Sequence, residues 1–291
     1  MTMTMMLYAT SYVVESVSWE QNDDITTAVE QGHCKPQMYY HVLMSTIDTA
    51  TGLEAPAEVS QERARAIFTE IAGQYEKFNH YSSFGQDRRW LDKLVAALPV
   101  NSSSRILDVA GGTGEVTFAI CKCHHPAHIV LSDYTPAMLD VAKQRIAAGD
   151  NRSVSVETQV VDAQDMPFED ASFDIVTMAY GIRNIPDRMR ALREINRVLT
   201  PGGTVAILEF STPPLAPARA FYKAYLKWGI PAWGQYFTGK RDDFVYLADS
   251  IKAFPNQEEF ASMLRDAGFQ NVNFKNLAFG AAALHTANKA Q

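Results

Sequence analysis

The sequence predicts an α/β protein built on a doubly wound, mostly parallel seven-stranded sheet, with helices on both faces, an antiparallel C-terminal hairpin and N-terminal capping helices. Three observations predict this. Short apolar runs alternate with helix-period segments from about residue 105 onward. The first run ends in a glycine cluster that opens a helix. The last two runs lie too close together for a helical crossover, so they pair antiparallel.

Ser60 opens a periodic segment in which Ala64, Ile67, Phe68, Ile71 and Tyr75 share one face, with Arg63, Glu70 and Gln74 off it. A second helix is expected at 87–98. Strands and helices then alternate: strand 105–110, helix 114–122, strand 128–132, helix 136–148, strand 154–161 and strand 173–179. The amphipathic helix 187–199 is closed by Thr200-Pro201-Gly202-Gly203, and strand 204–210 follows. A less regular aromatic segment, 213–250, precedes helix 256–267, stopped by Gly268, and two strands at about 271–276 and 281–287.

Hydrophobic residues make up 47% and charged residues 20% of the 291, the balance of a globular domain. Charge divides unevenly. Residues 1–60 hold eight acids and one base, while residues 61–291 are neutral in sum. Residues 1–59 are read as an acidic, disordered extension and 60–291 as the folded domain. The acidity is the reverse of a mitochondrial transit peptide, which favours a cytoplasmic, prokaryotic setting. A neutral body without a basic groove offers nothing to nucleic acid. It suits an uncharged substrate or the inner face of a membrane. Cys34, Cys121 and Cys123 are too few for a disulfide framework, and the crowded Cys121-x-Cys123-His124-His125 stretch with His128 is not read as a metal site.

The loop Asp108-Val109-Ala110-Gly111-Gly112-Thr113-Gly114 is the sharpest local signal. Glycines let the backbone bend tightly and approach a ligand, and the helix beyond offers unpaired N–H groups. A dinucleotide loop would place a third glycine where Thr117 stands, and a phosphate loop of the Walker type would need a lysine. A ligand-free tight turn is the alternative. Asp133 ends the next strand, 19 residues after Gly114, where a carboxylate can accept both ribose hydroxyls. Its alternative is a cap for the helix at Pro136. Asp162 and Ala163 end the strand after that, where an acid and a small residue suit an adenine edge; an ordinary turn is the alternative. Three successive strand ends with ligand-type residues converge on one adenosyl group. With the antiparallel strand near the C-terminus they predict a class I, Rossmann-like methyltransferase that uses S-adenosylmethionine (SAM).

At this point the chain resembles the ubiquinone/menaquinone C-methyltransferases over about residues 60–289. Tyr180-Gly-Ile-Arg-Asn184, Arg197-Val-Leu-Thr-Pro-Gly-Gly203, Ile207-Leu-Glu-Phe-Ser211, Tyr246-Leu-Ala-Asp-Ser-Ile251 and Ala267-Gly-Phe269 carry the resemblance with the glycine loop. Tyr75, Asn79, Ser83 and Trp90 match the family's N-terminal signature, whereas Glu76, Phe78, Ser82 and Asp87 depart from it, as Thr200 does before Pro201. The resemblance implies C-methylation of a polyprenylated quinol. Demethylmenaquinol is the expected acceptor, with 2-methoxy-6-polyprenyl-1,4-benzoquinol or a SAM-binding protein without turnover as alternatives. It carries the SAM site onto Thr113, Asp133, Asp162 and Ala163.

Carbon methylation requires a ring hydroxyl to lose its proton, so the acceptor must be the quinol and not the electrophilic quinone. The candidate catalytic residues are Arg183, Asn184, Asp165 and Tyr75. Arg183 would hold a water or stabilise the phenolate, Asn184 would orient the ring, and Asp165 would serve as base or touch SAM. A salt bridge to Asp187 or Glu209 is the alternative for Arg183, exposure to water for Asp165, and core packing for Tyr75. Nine aromatics between 219 and 246 suit a lid over the prenyl chain or peripheral contact with a bilayer. A homodimer surface or plain core is the competing reading.

Overall fold

The computed structural model describes residues 61–239 and 241–291. The extension expected at 1–59 lies outside the described residues. Helices α1 (Gln61–Ile71), α2 (Tyr75–Ser82) and α3 (Gln86–Ala96) come first, followed by β1 (Arg105–Asp108), α4 (Glu115–Cys123), β2 (His128–Asp133), α5 (Pro136–Ala147), β3 (Val156–Val160) and β4 (Phe173–Ala179). Then come α6 (Arg188–Val198), β5 (Leu199–Phe210), α7 (Ala216–Ala224), a π-helical turn at Tyr225–Gly229, α8 (Ile230–Thr238), α9 (Arg241–Lys252), α10 (Gln257–Asp266), β6 (Phe269–Leu277) and β7 (Ala282–Lys289).

The strands form one seven-stranded sheet in the order β3-β2-β1-β4-β5-β7-β6. β1 pairs parallel with both β2 and β4, and β7 runs antiparallel between β5 and β6. The expected sheet class and C-terminal hairpin are both present. Between β1 and β4 the winding reverses direction, and a crevice opens there beyond the carboxyl ends of the strands.

Both faces of the central strands are buried, and the period-2 alternation shows it. Ile106, Ile129, Ile175, Ala206 and Leu208 pack on one side against Trp90, Leu91, Leu94 and Val95 of α3 and Val116 and Ile120 of α4. Their neighbours Leu107, Val130, Val176, Val205 and Ile207 face the other side, against Ala191, Leu192, Ile195 and Val198 of α6 and Phe260 and Leu264 of α10. A separate apolar cluster holds the cap. Ile71, Phe78, Leu226, Ile230, Phe244, Ala248 and Ile251 join α1 and α2 to α8 and α9.

Three expectations need correction. The periodic segment from Ser60 is not one helix, because the chain turns at Ala72–Gln74, where the Gln74 N–H donates to Ile71 O at 2.8 Å. Tyr75 therefore opens α2 and leaves the packed face of α1. Thr200–Gly203 does not sit outside the sheet but belongs to β5. Phe173 pairs with Leu199 and Ile175 with Thr204, so these residues form a bulge, with Gly202 in the left-handed region at φ +75°. The segment 213–250 is largely helical. α8 and α9 meet so closely that a Cβ on Gly234 would lie 2.1 Å from the Phe244 ring.

His285 on β7 is buried, its Nε2 2.9 Å from Gln257 O and its Nδ1 without a partner among the described residues. Burial lowers its pKa to about 4 from the ordinary 6.5. The folded state thus favours the neutral ring. The stability this contributes is present above the unfolded value and is lost as pH falls from about 6.5 through 4. Urea denaturation should show the wild type losing about 3 kcal/mol more across that interval than a His285→Gln variant.

Candidate active site

The cleft at the switch point encloses about 1040 Å³ including its mouth. The ends of β1, β2 and β4 and the loop after β3 form its floor, and α1, α2 and the start of α3 form its roof.

Its foundation is Asp108, fully buried at the end of β1. One carboxylate oxygen accepts from the Thr117 Oγ1 at 2.7 Å and the Thr117 N–H at 3.2 Å, and the other accepts from Thr177 Oγ1 at 2.8 Å. Burial pushes its pKa up to about 6, against the lowering effect of these donors. Asp108 does not line the cleft but ties the glycine loop to the first turn of α4 and to β4. Gly111 passes so close that a Cβ there would lie 2.3 Å from Leu131 Cδ1 and 2.8 Å from Asp108 Oδ2. Gly114 caps α4 in the left-handed region at φ +89°, outside the cleft lining. Gly111, Gly112 and Thr113 do line it.

Asp133 also lines the cleft. Its Oδ2 accepts from the Gly112 N–H at 2.9 Å and its Oδ1 from the Thr135 N–H at 2.8 Å. Burial raises its pKa, while those backbone donors pull it down. The Thr135 side chain also hydrogen-bonds this carboxylate. With about four lone-pair sites on its two oxygens, it can orient the loop and the helix start and still accept from a ligand hydroxyl. Ala163 and Val161 line the cleft, whereas Asp162 does not. The Asp162 carboxylate accepts from the Gln164 backbone N–H at 2.9 Å and from the Gln164 side-chain amide.

The four catalytic candidates separate. Tyr75 and Asn184 line the cleft, and burial raises the Tyr75 pKa. Asn184 Oδ1 is buried without a partner among the described residues. Arg183 lies beneath the cleft wall, 1% exposed. Its guanidinium donates to Glu209 Oε1 at 2.8 Å and to Tyr180 O, and stands 5.3 Å from the Phe210 ring. Burial alone would lower its pKa, but Glu209 more than offsets that and keeps it charged. Its partner is Glu209, as one sequence alternative held, yet the pair is internal and not at the surface. Asp187 instead caps α6. Asp165 is not brought to the cleft. Its side chain is 85% exposed, 3.9 Å from Arg190, because the turn that pairs Asp162 with Asp165 directs it outward.

Sequence reading missed three features. Tyr180 lines the cleft at φ +59° with its hydroxyl buried and unpartnered among the described residues; burial, with Glu209 nearby, holds its pKa well above the ordinary value. Its signal was in plain view as the first residue of Tyr180–Asn184. Asp87 and Asn79 also line the cleft, from α3 and α2. Arg145 clasps the roof to the floor. It reaches Glu76 on α2, Glu115 on α4 at 2.9 Å and Thr113 O at 3.3 Å, and stacks 4.4 Å from the Phe118 ring.

The cleft therefore offers a carboxylate with spare acceptors, a glycine loop open to close approach and a small-residue wall at Ala163. These fit an adenosyl group. The sequence profile of the ubiE/COQ5 methyltransferase family matches residues 57–289. The chain belongs to that family.

Relatives in the ubiE/COQ5 family agree. The Dinoroseobacter shibae ubiquinone/menaquinone biosynthesis C-methyltransferase is 41% identical over 76% of this chain and 88% of its own length. The Caenorhabditis elegans mitochondrial 2-methoxy-6-polyprenyl-1,4-benzoquinol methylase is 38% identical over 79% and 80%. The Staphylococcus aureus demethylmenaquinone methyltransferase is 36% identical over 81% and 96%. A solved SAM-dependent methyltransferase from Thermotoga maritima shares the fold, with a TM-score of 0.56 over 77% of this chain and 98% of its own, at 19% identity. The protein is thus a methyltransferase of a family acting in quinone biosynthesis, and that family's class implies SAM as methyl donor.

Glu209→Ala should cost about 3–5 kcal/mol in urea denaturation, because it leaves a buried guanidinium unpaired. Adding Arg183→Met to that variant should recover part of the loss, the signature of a coupled pair in a double-mutant cycle.

Proposed function

We propose that the protein C-methylates the ring of a polyprenylated quinol with SAM, and that demethylmenaquinol is its acceptor. The observation that carries the reading is the placement of Asp133 and the Gly111–Thr113 loop at one end of a cleft whose other end is walled by Tyr75, Asn79, Tyr180 and Asn184. SAM supplies an electrophilic methyl group. Asp133 accepts the ribose hydroxyls, the glycine loop lets the backbone close on the amino-acid portion, and Ala163 leaves room for the adenine.

At the other end the chain positions an aromatic diol. Asn184 presents an unused amide oxygen to one ring hydroxyl. Tyr75 and Tyr180 remain protonated there, so each can donate a hydrogen bond to the oxygen on which charge develops. Arg183 acts from behind the wall, where its charge favours an anionic ring. Closure under the cap keeps water from the electrophile and fixes the in-line approach.

Residues 213–241 contain five bases, no acids and a run of aromatics. Phe221, Trp228 and Tyr236 are exposed, and Lys227 sits 5.3 Å from the Trp228 ring. This composition suits peripheral contact with an anionic bilayer, from which a prenylated substrate would be drawn. Among the described residues no helix is long and apolar enough to cross a membrane.

The C. elegans relative supports a second reading, with the benzoquinol as acceptor. Methyl-labelled SAM with each acceptor in anionic vesicles, reduced and oxidised, tests both. Label should enter demethylmenaquinol only when it is reduced, and Trp228→Ala should raise the KM for quinol several-fold while leaving the KM for SAM unchanged. Label in the benzoquinol alone would transfer the assignment to the second reading, and label in neither would remove both.

A further inference from the structure

Of the carboxylates that line the cleft, Asp133 serves the cofactor end and Glu115 is held by Arg145, which leaves Asp87 as the carboxylate of the acceptor end among the described residues. Asp87 is buried in the first turn of α3. Its Oδ1 accepts from Ser83 Oγ at 3.1 Å and lies 3.3 Å from His80 Nδ1. Both of these contacts fall on Oδ1. The His80 side chain is 39% exposed, so the imidazole joins a buried carboxylate to solvent. The left-handed turn at Gly85, φ +71°, brings α3 back on α2, and a Cβ there would press on the His80 ring at 3.3 Å.

We propose that Asp87 and His80 form the route by which the acceptor's proton leaves the cleft. This rests on the quinol reading and adds to it the base which that reading lacks. Methylation of a ring carbon by a sulfonium releases one proton per turnover. The acceptor O–H bond breaks and its electron pair flows through oxygen to the ring carbon, which bonds the methyl group as the S–CH3 bond breaks with its pair staying on sulfur. The ring C–H bond then breaks, its pair restores the aromatic ring and its proton replaces the one lost from oxygen, while the proton taken from oxygen goes to Asp87. It then passes to His80 Nδ1, and the proton on Nε2 leaves to water. The remaining titratable groups at this end are Tyr75 on α2 and Tyr180 after β4, both held protonated, with the buried Arg183–Glu209 pair behind them. Asp87 is thus a catalytic residue, and His80, acting through it, a positioning and relay residue.

Full-length protein assayed anaerobically with SAM and short-chain reduced demethylmenaquinol tests this. His80→Ala should lose about tenfold or more in kcat, and added imidazole should restore turnover at the solvent-facing gap. Asp87→Asn should lose about 10²-fold or more in kcat with the KM for SAM unchanged, and Asp87→Glu should recover part of it. If Asp87→Asn fails to fold, the His80 arm decides alone, since its ring reaches solvent. Asp87→Asn within about threefold of wild type, or His80→Ala within about threefold of wild type with no response to imidazole, overturns the proposal while wild-type turnover keeps the quinol reading. A wild type that methylates neither reduced quinol removes that reading and this proposal together.

Discussion

A carboxylate taken out of water at the end of the central strand organises the rest of the molecule. Asp108 has no exposure, and an unpaired charge there would be untenable. Thr117 and Thr177 supply two hydroxyls and a backbone N–H, so the cost of burial is offset only when α4 and β4 stand in their observed places. With both ends held, the five residues between β1 and Gly114 must make a tight loop, and Ala110, Gly112 and Gly114 all adopt left-handed backbone to do so. The Gly112 N–H is thereby aimed at Asp133, and two acidic side chains 25 positions apart in the chain become parts of one cradle.

The acceptor end relies on a different solution to the same problem. Arg183 and Glu209 are both 1% exposed and neutralise one another beneath the wall. Such a pair contributes little net stability, since desolvation consumes most of the attraction. It does hold a fixed positive and negative charge under Tyr180 without filling the cleft, and leaves Asn184, the next residue, facing inward. The roof is fastened electrostatically as well. Arg145 draws Glu76 of α2 and Glu115 of α4 together over Thr113 O, so closing the cap and shaping the loop are linked events.

The sheet and the cofactor end were legible in the sequence because their signals are local. Buried strands read as apolar runs, and Asp133 stands at a fixed spacing from the glycine loop. Asp162 and Asp165 stand apart from the cleft lining for a geometric reason: a turn of a few residues decides which side chains face inward, and here Ala163 lines the cleft while the two acids do not. Asp87 was not legible as a site residue because it lines the cleft with Tyr180 only after α3 folds back over the strand ends. The aromatics of 213–250 serve the cap core at Phe244 and the outer surface at Trp228 alike.

The cradle of Asp133 and the glycine loop holds the methyl donor, and titration calorimetry with S-adenosylhomocysteine tests that without any acceptor. Saturable binding to the wild type, weakened at least about tenfold in a folded Asp133→Ala variant, is the predicted result. Absence of binding to the wild type, or an affinity that Asp133→Ala leaves unchanged, would contradict it.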